Sequence, residues 1–223
     1  MKTDQLIEQL AGEAGPVRRL APPPLRALGW LAIALPFVAL VVLIITPRPD
    51  LAAKLTETRF IIEQTAAFAT AVTAAIAAFC LIVPGMTWRV ALLPVLPFGA
   101  WVASLGLGCV ADWLRYGAEG LRITPDPACF PYIALVGSIP AIAIVVMLRR
   151  GAPLAPHKTM LLGGLAAAAL GSFGLRFFHT EDAGIMVLLW QFGSVVLLSL
   201  IAGAIGQIIL RWRDRKATVT RSG

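Results

Sequence analysis

The chain alternates between long apolar runs and short polar connections. The apolar runs lie at about residues 26–46, 60–83, 88–111, 129–148, 158–178 and 184–210. An α-helix of roughly 20 apolar residues crosses the hydrocarbon core of a bilayer, and each run reaches that length. The pattern therefore predicts an all-α fold, an integral membrane bundle of six transmembrane helices.

Polar ends flank these runs and divide the chain into three parts. We predict an N-terminal tail over 1–25, a transmembrane domain over 26–210 and a basic C-terminal tail over 211–223. Three consecutive prolines at positions 22 to 24 end the N-terminal tail, and a proline run forms a stiff spacer. The first transmembrane helix is expected to begin only after them.

The N-terminal tail has a helical periodicity of its own. Its apolar residues recur at helical spacing, while Asp4 and Glu8 fall elsewhere on the helical wheel. This predicts a short amphipathic helix, which Gly15 and Pro16 would end. Its apolar stripe consists of Leu6, Ile7, Leu10 and Val17.

Proline and small residues shape two of the predicted spans. The third run contains Pro94 and Pro97, which predict a kink there, since a membrane bundle can satisfy the carbonyls that proline frees. The fifth run contains a ladder of small residues, and ladders of this kind let helices approach closely. We expect this ladder to serve packing within the chain. Its residues are Gly163, Gly164, Ala167, Ala168, Gly171, Ser172 and Gly174.

Composition supports the membrane class. Hydrophobic residues make up 58% of the chain and charged residues 14%, and the mean hydropathy is +0.82, which soluble domains do not reach. The sequence has no nucleophile-elbow, P-loop, zincin or dinucleotide-binding motif. We therefore expect neither an enzyme nor a bound cofactor.

Lysine and arginine are distributed unevenly between the two sides of the predicted bundle. Thirteen of the 19 fall on the side that holds both tails. Because loops rich in these residues stay in the cytoplasm, we expect both termini to be cytoplasmic and the protein to lie in the bacterial inner membrane. The formal net charge of +7 then reflects topology, and we expect contact with the lipid bilayer but no direct nucleic-acid binding.

Ionisable residues are almost absent from the middle of the predicted spans. Glu63, Asp112 and Arg176 all fall near span ends. An ion-coupled transporter ordinarily needs a carboxylate inside the membrane. A small transporter or permease subunit is therefore the less favoured alternative, and a membrane scaffold without a signalling role is a third.

Cysteine and histidine side chains lie on the predicted external side. Cys109 and Cys129 bracket the external loop that begins at Asp112, and His179 lies in the last external loop. The sequence leaves open whether the two cysteines form a disulfide or remain unpaired. It also leaves open whether any of these side chains binds a metal, since their spacing matches no metal-binding motif.

Six short segments carry a resemblance to a known family. In order along the chain they are Lys2–Ile7, Pro16–Leu20, Arg48–Leu51, Leu107–Trp113, Arg149–Pro153 and Leu188–Trp190. In order and spacing they resemble the NrsF-like family, bacterial negative regulators of an extracytoplasmic-function sigma factor. The resemblance covers nearly the whole chain.

The resemblance implies a six-span inner-membrane anti-sigma factor. Such a protein would hold its sigma factor at the cytoplasmic face until an envelope stress, or a metal or redox signal, releases it. The amphipathic N-terminal helix offers a surface for this partner, in the helix-in-groove mode. A helix lying flat on the membrane is the alternative. The candidate partner-binding residues are Leu6, Ile7, Leu10, Val17, Arg18 and Arg19.

The resemblance also implies where a signal would be received. Family members carry cysteines at two external positions. Cys129 matches the first, whereas His179 stands at the second, so the resemblance does not imply a switch between two thiols at these positions. The candidate sensing residues are Cys109, Cys129, His179 and Asp112.

Overall fold

The structure is a computed structural model that describes residues 3–13, 20–121, 129–151, 154–180 and 184–210. These residues form helices and short connections, and they contain no β-strand. The α-helices are α1 (Thr3–Glu13), α2 (Pro23–Ile45), α3 (Leu51–Lys54), α4 (Thr58–Leu81), α5 (Val95–Tyr116), α6 (Cys129–Leu148), α7 (Pro156–Leu175), α8 (Gly184–Met186), α9 (Gly193–Ala204) and α10 (Gly206–Ile209). Two 3-10 helices, Trp88–Leu92 and Gly117–Leu121, flank α5, and the π-helix Val187–Phe192 joins α8 to α9.

Six helical segments are long and apolar enough to cross a membrane, which confirms the predicted all-α membrane bundle. Four of them begin and end within a few residues of the apolar runs, because the length of an apolar run sets the length of the helix that crosses the hydrocarbon. The third and sixth depart further from theirs at the C-terminal end. The segments are Pro23–Ile45, Thr58–Leu81, Trp88–Glu119, Cys129–Leu148, Pro156–Leu175 and Val187–Ala204.

Helix α7 is the centre of the bundle and packs against α4, α6 and α9. Of its span, 78% is buried, against 22% of the span in α2. The small residues of α7 explain this burial: a Cβ on Gly171 would lie 2.6 Å from the Ile133 carbonyl oxygen of α6. The structure thus bears out the expectation that the small-residue ladder serves packing inside the chain.

The outer faces of the peripheral helices expose large apolar side chains. Leu43 and Ile44 of α2, Leu96 and Leu107 of α5 and Ile142 of α6 are examples. A soluble protein does not expose apolar surface on this scale, whereas a helix that faces acyl chains does.

Prolines stand at the starts of α2 and α5. Pro22 is the N-cap of α2, and Pro23 and Pro24 lie in its first turn, where an N–H has no helical partner. The first span therefore begins at the prolines and not after them. Pro94 is the N-cap of α5 and Pro97 lies in its first turn, so the predicted kink is a junction between the 3-10 helix and α5.

Two further expectations about the spans need correction. The third span continues as helix to Tyr116, so Asp112 and Trp113, which were expected in an external loop, lie on α5. The last span, expected as one helix over 184–210, contains a π-helix and is interrupted at Ile205. The polar residue Asp112 makes the third apolar run look shorter than its helix. The interruption at Ile205 lies between Ala204 and Gly206, and the apolar pattern does not reveal it.

Because the spans alternate in direction, the bundle has two ends. The Cys129 end holds the start of α4 and α6 and the finish of α2, α5 and α7. The Arg26 end holds the start of α2, α5 and α7 and the finish of α4 and α6.

Candidate functional site

A cysteine and a histidine come together at the Cys129 end. Cys129 is the first residue of α6 and is buried, and its Sγ lies 3.5 Å from Nε2 of His179. His179 follows α7, and its backbone N–H donates to the Leu175 carbonyl (2.9 Å), which continues the turn beyond the helix. The pair therefore joins the start of α6 to the segment that leaves α7.

Arg48 holds this segment from the other side. Its buried guanidinium donates two hydrogen bonds to the Asp50 carboxylate, at 2.6 and 2.8 Å, and a third to the carbonyl of His179 at 3.2 Å. Its backbone N–H donates to the Phe177 carbonyl at 2.9 Å. Asp50 thus orients the arginine that binds the carbonyl groups of both Phe177 and His179.

Aromatic packing completes the support of the segment after α7. The ring of Phe178 meets that of Tyr132 on α6 edge to face, with centroids 5.6 Å apart. Phe177 meets Phe60 on α4 in the same way at 6.4 Å. Such contacts add to the apolar burial of the rings and fix their orientation. Rings from α4 and α6 therefore hold both side chains that precede His179.

A buried ion network lies beside the pair. Glu63 of α4 accepts from Nε of Arg59 at 2.9 Å and from Nη2 of Arg176 at 3.2 Å, and its side chain is only 3% exposed. Arg176 directly follows α7 and lies over the ring of Phe60, 5.3 Å from its centroid. Two arginines and one carboxylate would leave a net positive charge. The Asp112 carboxylate balances it by accepting from Nη1 of Arg59 at 3.4 Å.

Gly108 makes room for this network. A Cβ on this residue would overlap the Arg59 guanidinium, so the arginine passes directly over the glycine on its way from α4 to α5. Asp112 lies four residues later on the same face of α5 and meets the guanidinium there. The glycine and aspartate of the Leu107–Trp113 segment are thus two parts of one arginine site.

The four candidate sensing residues separate into two neighbouring groups. Cys129 and His179 form one pair, while Asp112 binds Arg59, and Cys109 is a partly exposed free thiol next to Gly108. Among the described residues, Cys129 forms no disulfide. Within the part of the chain that the structure describes, no three His, Cys, Asp or Glu side chains are grouped so as to hold a metal ion.

The candidate partner-binding residues lie in and after α1. This helix confirms the helical periodicity of the tail, and all of its side chains that the structure describes are exposed, Ile7 at 59%. The side chains of Leu6 and Leu10 are not among those described. Val17, Arg18 and Arg19 lie outside the described residues.

Sequence reasoning missed how the charged residues pair. It placed Glu63 and Arg176 near span ends, which the structure confirms, but it did not predict that they are buried and bonded to each other. Arg59 and Glu63 stand four residues apart at the start of a predicted helix, a spacing that favours an ion pair. Both also belong to the same predicted side as Arg176, a signal that could have found the network.

Comparison with known families adds one match. The family model described as "Negative regulator of sigma F" matches residues 10–212. No curated protein and no solved structure matches the chain.

Proposed function

The chain belongs to the NrsF family of negative regulators of sigma F, and we propose that it sequesters an extracytoplasmic-function sigma factor at the inner membrane. Membership makes it a negative regulator of a sigma factor and sets it apart from enzyme families. The observation that carries the proposal is the match itself, which spans the bundle and the end of α1. No observation favours the transporter or the scaffold alternative.

We place the Arg26 end in the cytoplasm. The support is the distribution of basic residues, since the tails and the connections at this end contain most of the lysines and arginines. Transcription takes place in the cytoplasm, so a regulator of a sigma factor must present its binding surface on that side. The Cys129 end then faces outward, where an envelope stress is met first.

The sigma factor binds α1 in this proposal. An amphipathic helix with an exposed apolar stripe suits a groove on a partner, which would bury Ile7 together with Leu6 and Leu10. The exposure of Ile7 supports this role. The family match begins at Leu10. For the part of α1 before this residue, the helical periodicity of its apolar residues is the support for the proposed role.

Co-purification from detergent tests the binding site. The full-length protein is expected to retain the sigma factor, and a version lacking residues 1–20 is expected to lose it. Leu6→Glu with Leu10→Glu should weaken retention strongly, because two charges would enter the apolar stripe. Gln5→Glu with Gln9→Glu adds the same charge on another face of the same helix and should leave retention unchanged. Equal retention by both double variants would contradict the placement of the site on the stripe.

We further propose that the signal acts on Cys129 and His179. A change at either side chain, by oxidation or by a metal that both ligate, would pull on the segment that Arg48 and the aromatic rings hold after α7. Since α7 packs against three other spans, a shift of this segment would change the packing of those spans as well. The support is the 3.5 Å contact and the bonds that converge on His179.

A sigma-dependent reporter in cells tests the sensing proposal. Cys129→Ser and His179→Ala are each expected to change the response to oxidant or metal, while the unstressed repression remains. Cys80→Ser, near the finish of α4 at the Arg26 end, serves as the control thiol because it lies at the opposite end of the bundle from Cys129. The sensing proposal is wrong if Cys109, Cys129 and His179 can all be replaced without altering the stress response.

A further inference from the structure

Arg26 is a buried cation at the Arg26 end. It lies in the second turn of α2, and only 7% of its surface is exposed. Its guanidinium donates through Nη2 to the Met147 carbonyl of α6 at 2.8 Å, and it lies over the ring of Phe79 on α4, 4.5 Å from the centroid. The arginine therefore sits where three spans of the bundle meet.

These contacts leave most of its hydrogen-bonding capacity unused. A guanidinium has five N–H donors, and the bond to Met147, which caps the end of α6, accounts for one of them. Nη1 is buried and has no hydrogen-bond partner among the described residues. A buried donor without a partner is costly, more so on a charged group, and such sites are rare in proteins.

A second arginine follows the same end of α6. Arg150 is three residues after Met147, whose carbonyl Arg26 binds, and it is exposed. The two like charges therefore repel each other. Within the described part of the chain, neither arginine forms an ion pair with a carboxylate. Two neighbouring cations with unused donors and no carboxylate form a site whose missing component is an anion.

We propose that Arg26 and Arg150 bind the phosphate of an anionic phospholipid. The surroundings favour a lipid, because Leu25 and Leu28 on the same turns of α2 are largely exposed and offer an apolar surface to acyl chains. Arg26 is also the fourth residue of a membrane-crossing helix. The start of such a helix lies at the depth of the lipid headgroups. Basic pockets between transmembrane helices on the cytoplasmic side bind anionic headgroups in this way.

A net negative headgroup fits better than a zwitterionic one. Phosphatidylcholine would bring a cation of its own toward two arginines, whereas phosphatidylglycerol brings none. The lipid phosphate would supply acceptors for the unused N–H groups, and its negative charge would offset the repulsion between Arg26 and Arg150. This inference does not depend on sigma-factor binding, although the leaflet concerned follows from the proposed orientation.

Native mass spectrometry of the full-length protein tests the site. The protein in detergent is titrated with phosphatidylglycerol or with phosphatidylcholine, and the bound lipid is counted. We expect tighter binding of phosphatidylglycerol, and a roughly fivefold weaker affinity for it in Arg26→Gln or Arg150→Gln, the usual effect of one basic residue near an anionic lipid. Arg89→Gln is the matched control, since Arg89 is an exposed arginine at the same end, and it should keep the original affinity.

Three outcomes would overturn the inference. Unchanged phosphatidylglycerol affinity in Arg150→Gln would do so, and because Arg150 is exposed this variant is expected to fold even if Arg26→Gln does not. Displacement of the lipid by millimolar inorganic phosphate would identify a free-phosphate site. Normal lipid affinity in both variants together with weaker retention of the sigma factor would identify an acidic protein surface as the anion.

Discussion

The buried arginines at the two ends of the bundle have different partners. At the Cys129 end Arg48 and Arg176 each bind a carboxylate, and all of these charges belong to the chain itself. At the Arg26 end, within the described part of the chain, Arg26 binds a carbonyl and an aromatic ring but no carboxylate. A network that is complete within the chain holds helices in place, whereas an incomplete one is suited to a ligand from outside. The charges at the Cys129 end therefore stabilise the helix packing, whereas those at the Arg26 end are suited to binding a ligand.

Removing the central carboxylate should break this contrast most strongly. Glu63→Gln leaves Arg59 and Arg176 near each other without their shared counter-charge. Breaking a buried pair from one side typically costs about 3–5 kcal/mol, so we expect a loss of this order in the free energy of unfolding. Equilibrium unfolding of the purified protein in mixed micelles, followed by circular dichroism, measures it.

The exposed pair at the same end provides the control for that experiment. Lys54 and Glu57 are joined at 2.7 Å, and the Glu57 side chain is 43% exposed. Glu57→Gln should change the free energy of unfolding by less than about 1 kcal/mol, since solvent screens such pairs. Similar losses of unfolding free energy in the two variants would mean that the Glu63 network is hydrated and does not stabilise the helix packing.

A smaller effect is expected from the glycine under Arg59. Gly108→Ala places a methyl group where the guanidinium lies, so the arginine must move away from Glu63 and Asp112. Overpacking costs about 1–3 kcal/mol. We expect a value at the lower end of this range, because the guanidinium is the far end of a flexible side chain and alanine is favoured over glycine in a helix. The same unfolding measurement detects it. We expect thermal stability to fall in parallel, because the displaced side chain loses both carboxylates together.

Gly106 of the same helix is the matched control for Gly108. A Cβ there would meet no atom within 4 Å, and alanine is favoured over glycine in a helix interior by roughly 0.5–1 kcal/mol. Gly106→Ala should therefore be neutral or slightly stabilising. A loss at position 106 as large as that at 108 would show that helix α5 tolerates no substitution here, and the arginine would not be the cause.

Most of the architecture follows from the apolar pattern. The fourth apolar run, 129–148, coincides with α6, and the first, second and fifth spans begin and end close to their runs, because water and hydrocarbon sort residues by polarity along the chain. The errors occur where this sorting is weak. The final turns of α5 contain Asp112 and Trp113, which look like loop residues until Arg59 is seen to hold one of them.

The candidate site was predictable only in part. Cys129 and His179 were singled out together as candidate sensing residues, and in the structure their side chains are in contact. The support around them was not predicted, since Arg48 looked like a polar loop residue and its bond to the His179 carbonyl crosses 131 positions of the chain. Spacing rules describe neighbours on one helix, and they say nothing about which connections meet in space.

Local chemistry along the chain was therefore enough to specify the helical class, the number of spans, the amphipathic first helix and the small-residue face of α7. Each of these depends on residues within one or two helical turns, or on the length of one apolar run. Tertiary packing alone decided which charges are matched. Glu63 meets Arg176 across 113 positions, and Arg26 meets the Met147 carbonyl across 121. Such pairings depend on how the helices are arranged around α7, and this arrangement separates a completed network at one end from an open one at the other.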